Sequence, residues 1–156
     1  MNPDWFAQAV TGGIEANWIG DGSKRRMSAL ITAQKKMDKA SQESLPPMII
    51  FAPSIDVGGM TVRRPVPPDV AFVYLSPTLE FEWQIDVDFI VAHELAHLVV
   101  GHGRQRQRSD EQVTADENAV DDLVMTWGYS RRKRTDSRFL RLLAKVTALD
   151  GTDTND

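Results

Sequence analysis

Two histidines and a glutamate lie within the most apolar run of the chain, residues 89–101, in the pattern His93-Glu94-x-x-His97. Residues four apart on an α-helix share one face, so His93 and His97 can offer two imidazole nitrogens to one cation. Glu94 is rotated by about 100° from His93 and points beside that cation. A general base for a metal-activated water belongs there. The motif therefore predicts a buried metal-binding helix with Glu94 as the catalytic base.

The alternative interpretation is a core helix without a metal. Its histidines would donate to backbone carbonyls, and Glu94 would belong to a buried salt bridge. Two imidazoles and a carboxylate in an apolar run cost several kcal/mol to desolvate without a compensating partner, on the order of 3–5 kcal/mol for an unpaired buried charge. A zinc ion supplies that compensation, so the metal site is favoured. The chain has no cysteine, so histidines and carboxylates must hold any metal.

A catalytic zinc takes three protein ligands and leaves a fourth position for water, so one ligand must come from downstream of the helix. Glu117 follows His97 by 20 residues (117 − 97) and precedes Asp121 by four. On a helix, this pair faces the same way. Glu117 can then bind zinc while Asp121 accepts the ring N–H of a ligating histidine. The downstream candidates are His102, Glu111, Asp116, Glu117 and Asp121.

His102 is an alternative third ligand, five residues after His97 and just beyond Gly101. The metzincin pattern needs a glycine three and a histidine six residues after the second motif histidine. His102 comes one residue too early for that pattern, which favours a solvent-facing or substrate-facing role for it.

The residue pattern in the first half of the chain predicts helices followed by strands. Residues 4–18 show helical spacing interrupted by Gly12-Gly13 and predict one broken helix. Ser23 is a plausible N-cap for an amphipathic helix over residues 24–44, which Pro46-Pro47 ends. The apolar stripe of that helix comprises Met27, Leu30, Ile31, Ala33 and Met37.

Short apolar segments predict two buried strands, at residues 48–52 and Val70–Leu75. Residues 55–62 form either a hairpin edge or an irregular loop. Further helices are predicted at residues 81–100, 111–127 and about 136–149. Gly101 and Gly128 are suited to end the first two. The fold class is therefore α+β, with a single domain over residues 1–150 and a frayed tail at 151–156.

The motif His93-Glu94-x-x-His97 followed by Glu117-Asn-Ala-Val-Asp121 resembles the gluzincin superfamily of zinc metallopeptidases, whose thermolysin branch shares the Glu-x-x-x-Asp pair. The Trp127-Gly128-Tyr129 ending is similar to that of small metallopeptidase-like proteins of phages and bacteria. Small intracellular members often carry Glu-x-Glu-Ala-Asp. Alignment to that form would shift the aspartate to Asp116 and place Gln112 at the ligand position. Glutamine is a poor zinc ligand, so Glu117 is preferred and Asp116 is the alternative.

This resemblance implies a minimal zincin-like domain, in which a small mixed sheet accompanies the HExxH helix and a following ligand-bearing helix. It also implies that an edge strand pairs with an extended peptide substrate. Val70–Leu75 is the candidate, with an interior position as the alternative. Tyr129 and His102 are candidates for steadying the transition state.

Net charge and the lengths of apolar runs limit which partners and which compartment are expected. The 156 residues carry a net charge of −4, which argues against a general polyanion binder. The amino-terminal residues lack a signal pattern and no run is long enough to span a bilayer, so a cytoplasmic protein is expected. Positive charge is clustered in two arginine-rich segments, 104–108 and 131–134.

The predicted function is a small zinc peptidase acting on a protein or peptide. Zinc would lower the pKa of a water, Glu94 would take its proton, and the same carboxyl would protonate the leaving amine. One alternative is a binding or regulatory module on the same fold, contacting a protein or nucleic acid through its arginine-rich segments. Another is a metal-dependent hydrolase of a non-peptide amide. The intact Glu94 favours catalysis, because a structural metal site needs no base.

Overall fold

A five-stranded mixed sheet and four α-helices make up the described part of the chain, which confirms the α+β class. The computed structural model describes residues 6–11, 14–19, 23–54, 59–64, 69–101 and 109–130. The strands are β1 (Phe6–Thr11), β2 (Ile14–Ile19), β3 (Met48–Pro53), β4 (Gly59–Arg64) and β5 (Val70–Leu75). The helices are α1 (Lys24–Lys36), α2 (Lys39–Ser44), α3 (Gln84–Val100) and α4 (Asp110–Thr126). The strand order across the sheet is β1-β2-β3-β5-β4.

The broken helix predicted for residues 4–18 is wrong, because β1 and β2 occupy that stretch as an antiparallel pair. The pairing runs from Phe6 opposite Ile19 to Thr11 opposite Ile14. The flanking segments are rich in β-branched and aromatic residues, which favour strands. The Gly12-Gly13 pair between them is costly in a helix and favoured in two-residue hairpin connections.

The helix predicted over residues 24–44 is two helices. Ser23 caps α1 as expected, its hydroxyl accepting from the Arg26 amide at 3.3 Å. Met37 leaves the helical conformation, and Asp38 then caps α2 by accepting from the Ser41 amide at 2.9 Å. A local Asp cap competes with helix continuation, which explains the break.

The two predicted buried strands are confirmed as β3 and β5, which pair in parallel. However, β5 lies between β3 and β4 in the sheet, so the prediction of Val70–Leu75 as an edge strand is wrong and its interior alternative holds. The edge position belongs to β4, antiparallel to β5. Strand order is set by long-range packing, and nothing in the local pattern of β5 distinguishes an interior strand from an edge strand.

The motif helix α3 begins at Gln84, three residues later than expected, after a short 3₁₀ turn at Pro77–Phe81. It ends as predicted at Gly101, whose φ of 77° is left-handed and whose N–H donates to the His97 carbonyl at 3.1 Å. The helix packs against α1, α4 and β4. Its fully buried apolar residues include Val87, Val91, Ala92, Leu95, Ala96 and Leu98.

The following helix α4 begins with a capping box, in which Ser109 and Gln112 each accept from the other's backbone N–H. Its end at Gly128, which has a φ of 83°, agrees with the sequence prediction. The predicted loop at 103–110 is described only at its end, and the predicted helix at 136–149 and the tail lie outside the described residues. No helix in the described ranges has the length and apolar character needed to cross a membrane.

Candidate metal centre

The side chains of His93, His97 and Glu117 converge between α3 and α4. The two Nε2 atoms of His93 and His97 lie 3.1 Å apart. One carboxylate oxygen of Glu117 is 3.1 Å from His93 Nε2, and the other is 3.4 Å from His97 Nε2. The side chains of His93, His97 and Glu117 thus come together as the sequence predicted. One helix presents the two imidazoles, and the next presents a carboxylate opposite them.

These separations suit a small tetrahedral cation. Ligands at about 2.0–2.2 Å from such an ion lie about 3.3–3.6 Å from one another, and the 3.1 Å between the two Nε2 atoms differs from this by only a few tenths of an ångström. The three residues are the group among the described His, Asp and Glu side chains that could hold a metal ion. The His93 and His97 side chains are 17% and 15% exposed, and Glu117 is 49% exposed. The group is therefore open on its Glu117 side.

Asp121 contacts the far side of the His93 ring. Its Oδ1 lies 2.9 Å from His93 Nδ1, and the residue is only 5% exposed. A buried carboxylate at this position favours a proton on Nδ1, which leaves the Nε2 lone pair facing Glu117 and His97. Phe89 lies one turn earlier on α3, and its ring centre is 6.2 Å from that of the His93 imidazole.

Glu94 lies beside this group in a more buried position, 5% exposed. Burial raises the pKa of its carboxyl, and the charge of Glu117 adds to the rise; the hydrogen bond from Thr61 and the neighbouring His93 oppose it. Thr61 Oγ1 donates to Glu94 Oε2 at 2.6 Å. A buried carboxyl with a raised pKa, next to a group able to bind a cation, has the properties of a general base.

Sequence reasoning missed Thr61, which lies 33 residues before Glu94 on the edge strand β4. The local pattern held no signal for it, because the contact depends on how β4 crosses α3.

The other predicted candidates lie elsewhere. Asp116 directly precedes Glu117 on α4 and does not belong to the group that could bind a metal. Glu111 lies on the first turn of α4, along an open depression. Tyr129 lies in the hydrophobic core with Lys36 Nζ 4.0 Å from its ring centre. His102 lies outside the described residues.

No protein-family model matches this chain, and neither the curated proteins nor the solved structures contain a match.

Proposed function

We propose that this protein is a zinc-dependent peptidase of the gluzincin type, with His93, His97 and Glu117 as metal ligands and Glu94 as general base. The observation that carries the proposal is the position of Glu94. It is a buried carboxyl with a raised pKa, adjacent in sequence to a ligand and beside an open group of two imidazoles and a carboxylate. A structural metal site has no use for such a base.

Zinc is the cation that this ligand set favours. Two histidines and one glutamate form a known catalytic ligand set of zinc hydrolases, which leave a fourth position open. Bound there, zinc would supply a Lewis acid that polarises a scissile carbonyl and acidifies a water. Asp121 supports the set by holding the His93 ring through Nδ1.

The protein's own contribution to the reaction is proton transfer by Glu94. Burial raises the pKa of the Glu94 carboxyl, which makes its carboxylate a stronger proton acceptor than that of an exposed glutamate. The carboxylate takes a proton from the attacking water and, as a carboxylic acid, delivers it to the leaving amine. Burial of Glu94 also keeps bulk water from competing for that proton.

The edge strand β4 supports a peptide as the substrate. Among the described strands, β4 pairs only with β5, so its other edge has backbone N–H and C=O groups on which an extended peptide could form a further strand. The same strand contacts Glu94 through Thr61. A peptide on this edge would lie next to the proposed base, which favours a peptide over a small non-peptide amide.

The test compares wild-type protein with Glu94→Gln, both loaded with zinc. Each is incubated with unfolded casein and a mixed-sequence peptide library, and new termini are identified by mass spectrometry. The wild type should cleave peptide bonds, and Glu94→Gln should keep its zinc while losing activity by at least about 100-fold. Equal cleavage by both proteins, or no cleavage by zinc-loaded wild type, would contradict the proposal. In the latter case, binding of an intact protein by both would favour a binding module.

A further inference from the structure

Thr61 is the hydrogen-bond donor to the carboxylate of Glu94. Its Oγ1 lies 2.6 Å from Glu94 Oε2 and 3.2 Å from the Glu94 carbonyl oxygen. Because a hydroxyl has one proton, the shorter bond to the carboxylate is the dominant one. Within the described residues, Thr61 is the side chain that hydrogen-bonds this carboxylate. The Glu94 carboxylate is thus contacted by one hydroxyl from another element.

The pleat of β4 directs Thr61 towards α3. Alternate residues of a strand point to the same face, and Arg63 also reaches α3, its Nη1 donating to the Leu98 carbonyl at 3.5 Å. Val62, between them, is 40% exposed on the opposite face. Arg63 is itself fixed by a salt bridge of 2.6 Å to Asp69. Thr61 and Arg63 are thus two neighbouring residues on the same face of β4, and both hydrogen-bond to α3.

We propose that Thr61 is a positioning residue for the general base, its hydroxyl holding one oxygen of the Glu94 carboxylate so that the other is free for proton transfer. The inference rests on the proposed peptidase function. Thr61 belongs to the strand proposed to bind the peptide, so one side chain links the substrate-binding edge to the base. Misplacement of a catalytic group by about 1 Å can cost about 100-fold in rate, which makes a single positioning contact consequential.

The first experiment measures the orientation of Glu94 in the metal-free protein. Side-chain scalar couplings are recorded on ¹³C-glutamate-labelled protein, with Glu94 assigned by its loss in Glu94→Gln. Wild type and Thr61→Ser should show one Glu94 rotamer, whereas Thr61→Val, which keeps the shape but not the hydroxyl, should show averaging. A single unchanged rotamer in Thr61→Val, or averaging in the wild type, would overturn the proposal. Thr61→Ala replaces Thr61→Val if that variant does not fold.

The second experiment measures turnover with the zinc-loaded proteins on a peptide that the wild type cleaves. Thr61→Val should lower kcat by about 10- to 100-fold with KM and zinc content unchanged, and Thr61→Ser should restore kcat to near the wild-type value. Arg63→Gln is the matched control, since it weakens the other tie between β4 and α3 without touching Glu94; it should lower stability but leave the Glu94 rotamer unchanged.

The two experiments separate the possible failures. If the wild type cleaves nothing, the peptidase function is lost, and the couplings of the metal-free protein still decide whether Thr61 orients Glu94. If the wild type cleaves and Thr61→Val cleaves equally well, the function stands and the role of Thr61 is contradicted. A fall in activity that Arg63→Gln reproduces, with no change in the couplings, would make Thr61 a purely structural tie.

Discussion

The Nδ1 atom of His93 lies 2.9 Å from Oδ1 of the buried Asp121. One residue on α4 thus fixes the ring of a residue on α3, while Glu117, one turn earlier on α4, faces the Nε2 atoms of both histidines. The same helix supplies the candidate ligand Glu117 and the carboxylate of Asp121 that contacts the His93 ring. Two adjacent helices are therefore sufficient to build the candidate centre.

Replacement of Asp121 should weaken zinc binding without abolishing it. Loss of a carboxylate behind a ligating histidine costs about 10- to 100-fold in metal affinity, because the ring loses its preferred tautomer and orientation. We expect that loss for Asp121→Ala and a smaller one for Asp121→Asn, whose amide oxygen can still accept from Nδ1. Competition with a chromophoric chelator measures both dissociation constants. Wild-type affinity in Asp121→Ala would remove Asp121 from the site.

Replacement of Glu117 should lower the zinc affinity more than replacement of Asp121, because it removes a proposed ligand. Glu117→Gln replaces a charged oxygen donor by a neutral amide, which is a poor zinc ligand. We expect weaker binding than in Asp121→Ala, measured in the same competition assay. Asp116→Asn is the matched control, since it removes the same charge one residue away and should bind zinc as the wild type does. If Asp116→Asn bound zinc weakly and Glu117→Gln bound it as the wild type does, Asp116 would be the third ligand.

Tyr129 should make the protein sensitive to alkaline pH. Burial, with a smaller effect of Asp88, raises the pKa of Tyr129 to about 12 from 10.0. The neutral phenol therefore contributes stability that is complete below the unfolded pKa and lost as the pH rises through the folded one. Urea unfolding at several pH values between 9 and 12, an interval chosen around these pKa values, should show this loss. The free energy of unfolding lost over this interval should be on the order of 2 kcal/mol.

Tyr129→Phe isolates that effect. The hydroxyl of Tyr129 has no hydrogen-bond partner in the described part of the chain, so its removal should raise the free energy of unfolding at neutral pH by about 1 kcal/mol. The contact of Lys36 with the ring is retained, so the two proteins differ only in the hydroxyl. An equal loss of stability in both proteins at high pH would show that other groups cause it.

Asp38 should stabilise the start of α2 in its ionised form. Its carboxylate accepts from the Ser41 amide and hydroxyl and from the Trp127 ring, and these bonds lower its pKa. The stability it contributes is present above the unfolded pKa and is lost as the pH falls through the lowered folded pKa. Asp38→Ala should lower the urea midpoint at pH 7 and differ less from the wild type in acid. Asp38→Asn, which retains an acceptor, should lie between them.

The sequence predicted the α3 and α4 parts of the site because their information is local. Spacing of four residues placed His93 with His97 and Glu117 with Asp121, and glycines marked both helix ends. What escaped prediction was either ambiguous in its local pattern or dependent on distant contacts. The β1–β2 hairpin has apolar spacing compatible with either element, the interior position of β5 follows from sheet order, and the Thr61 contact depends on how β4 crosses α3.

The central claim is that His93, His97 and Glu117 hold one zinc ion, and the metal content of the purified protein tests it most directly. Elemental analysis should find about one zinc per wild-type chain and none in His97→Ala, with circular dichroism showing that the variant is folded. His102→Ala, which changes the third histidine of the chain, should retain its zinc. Full retention of zinc by His97→Ala, or its loss from His102→Ala alone, would contradict the site described.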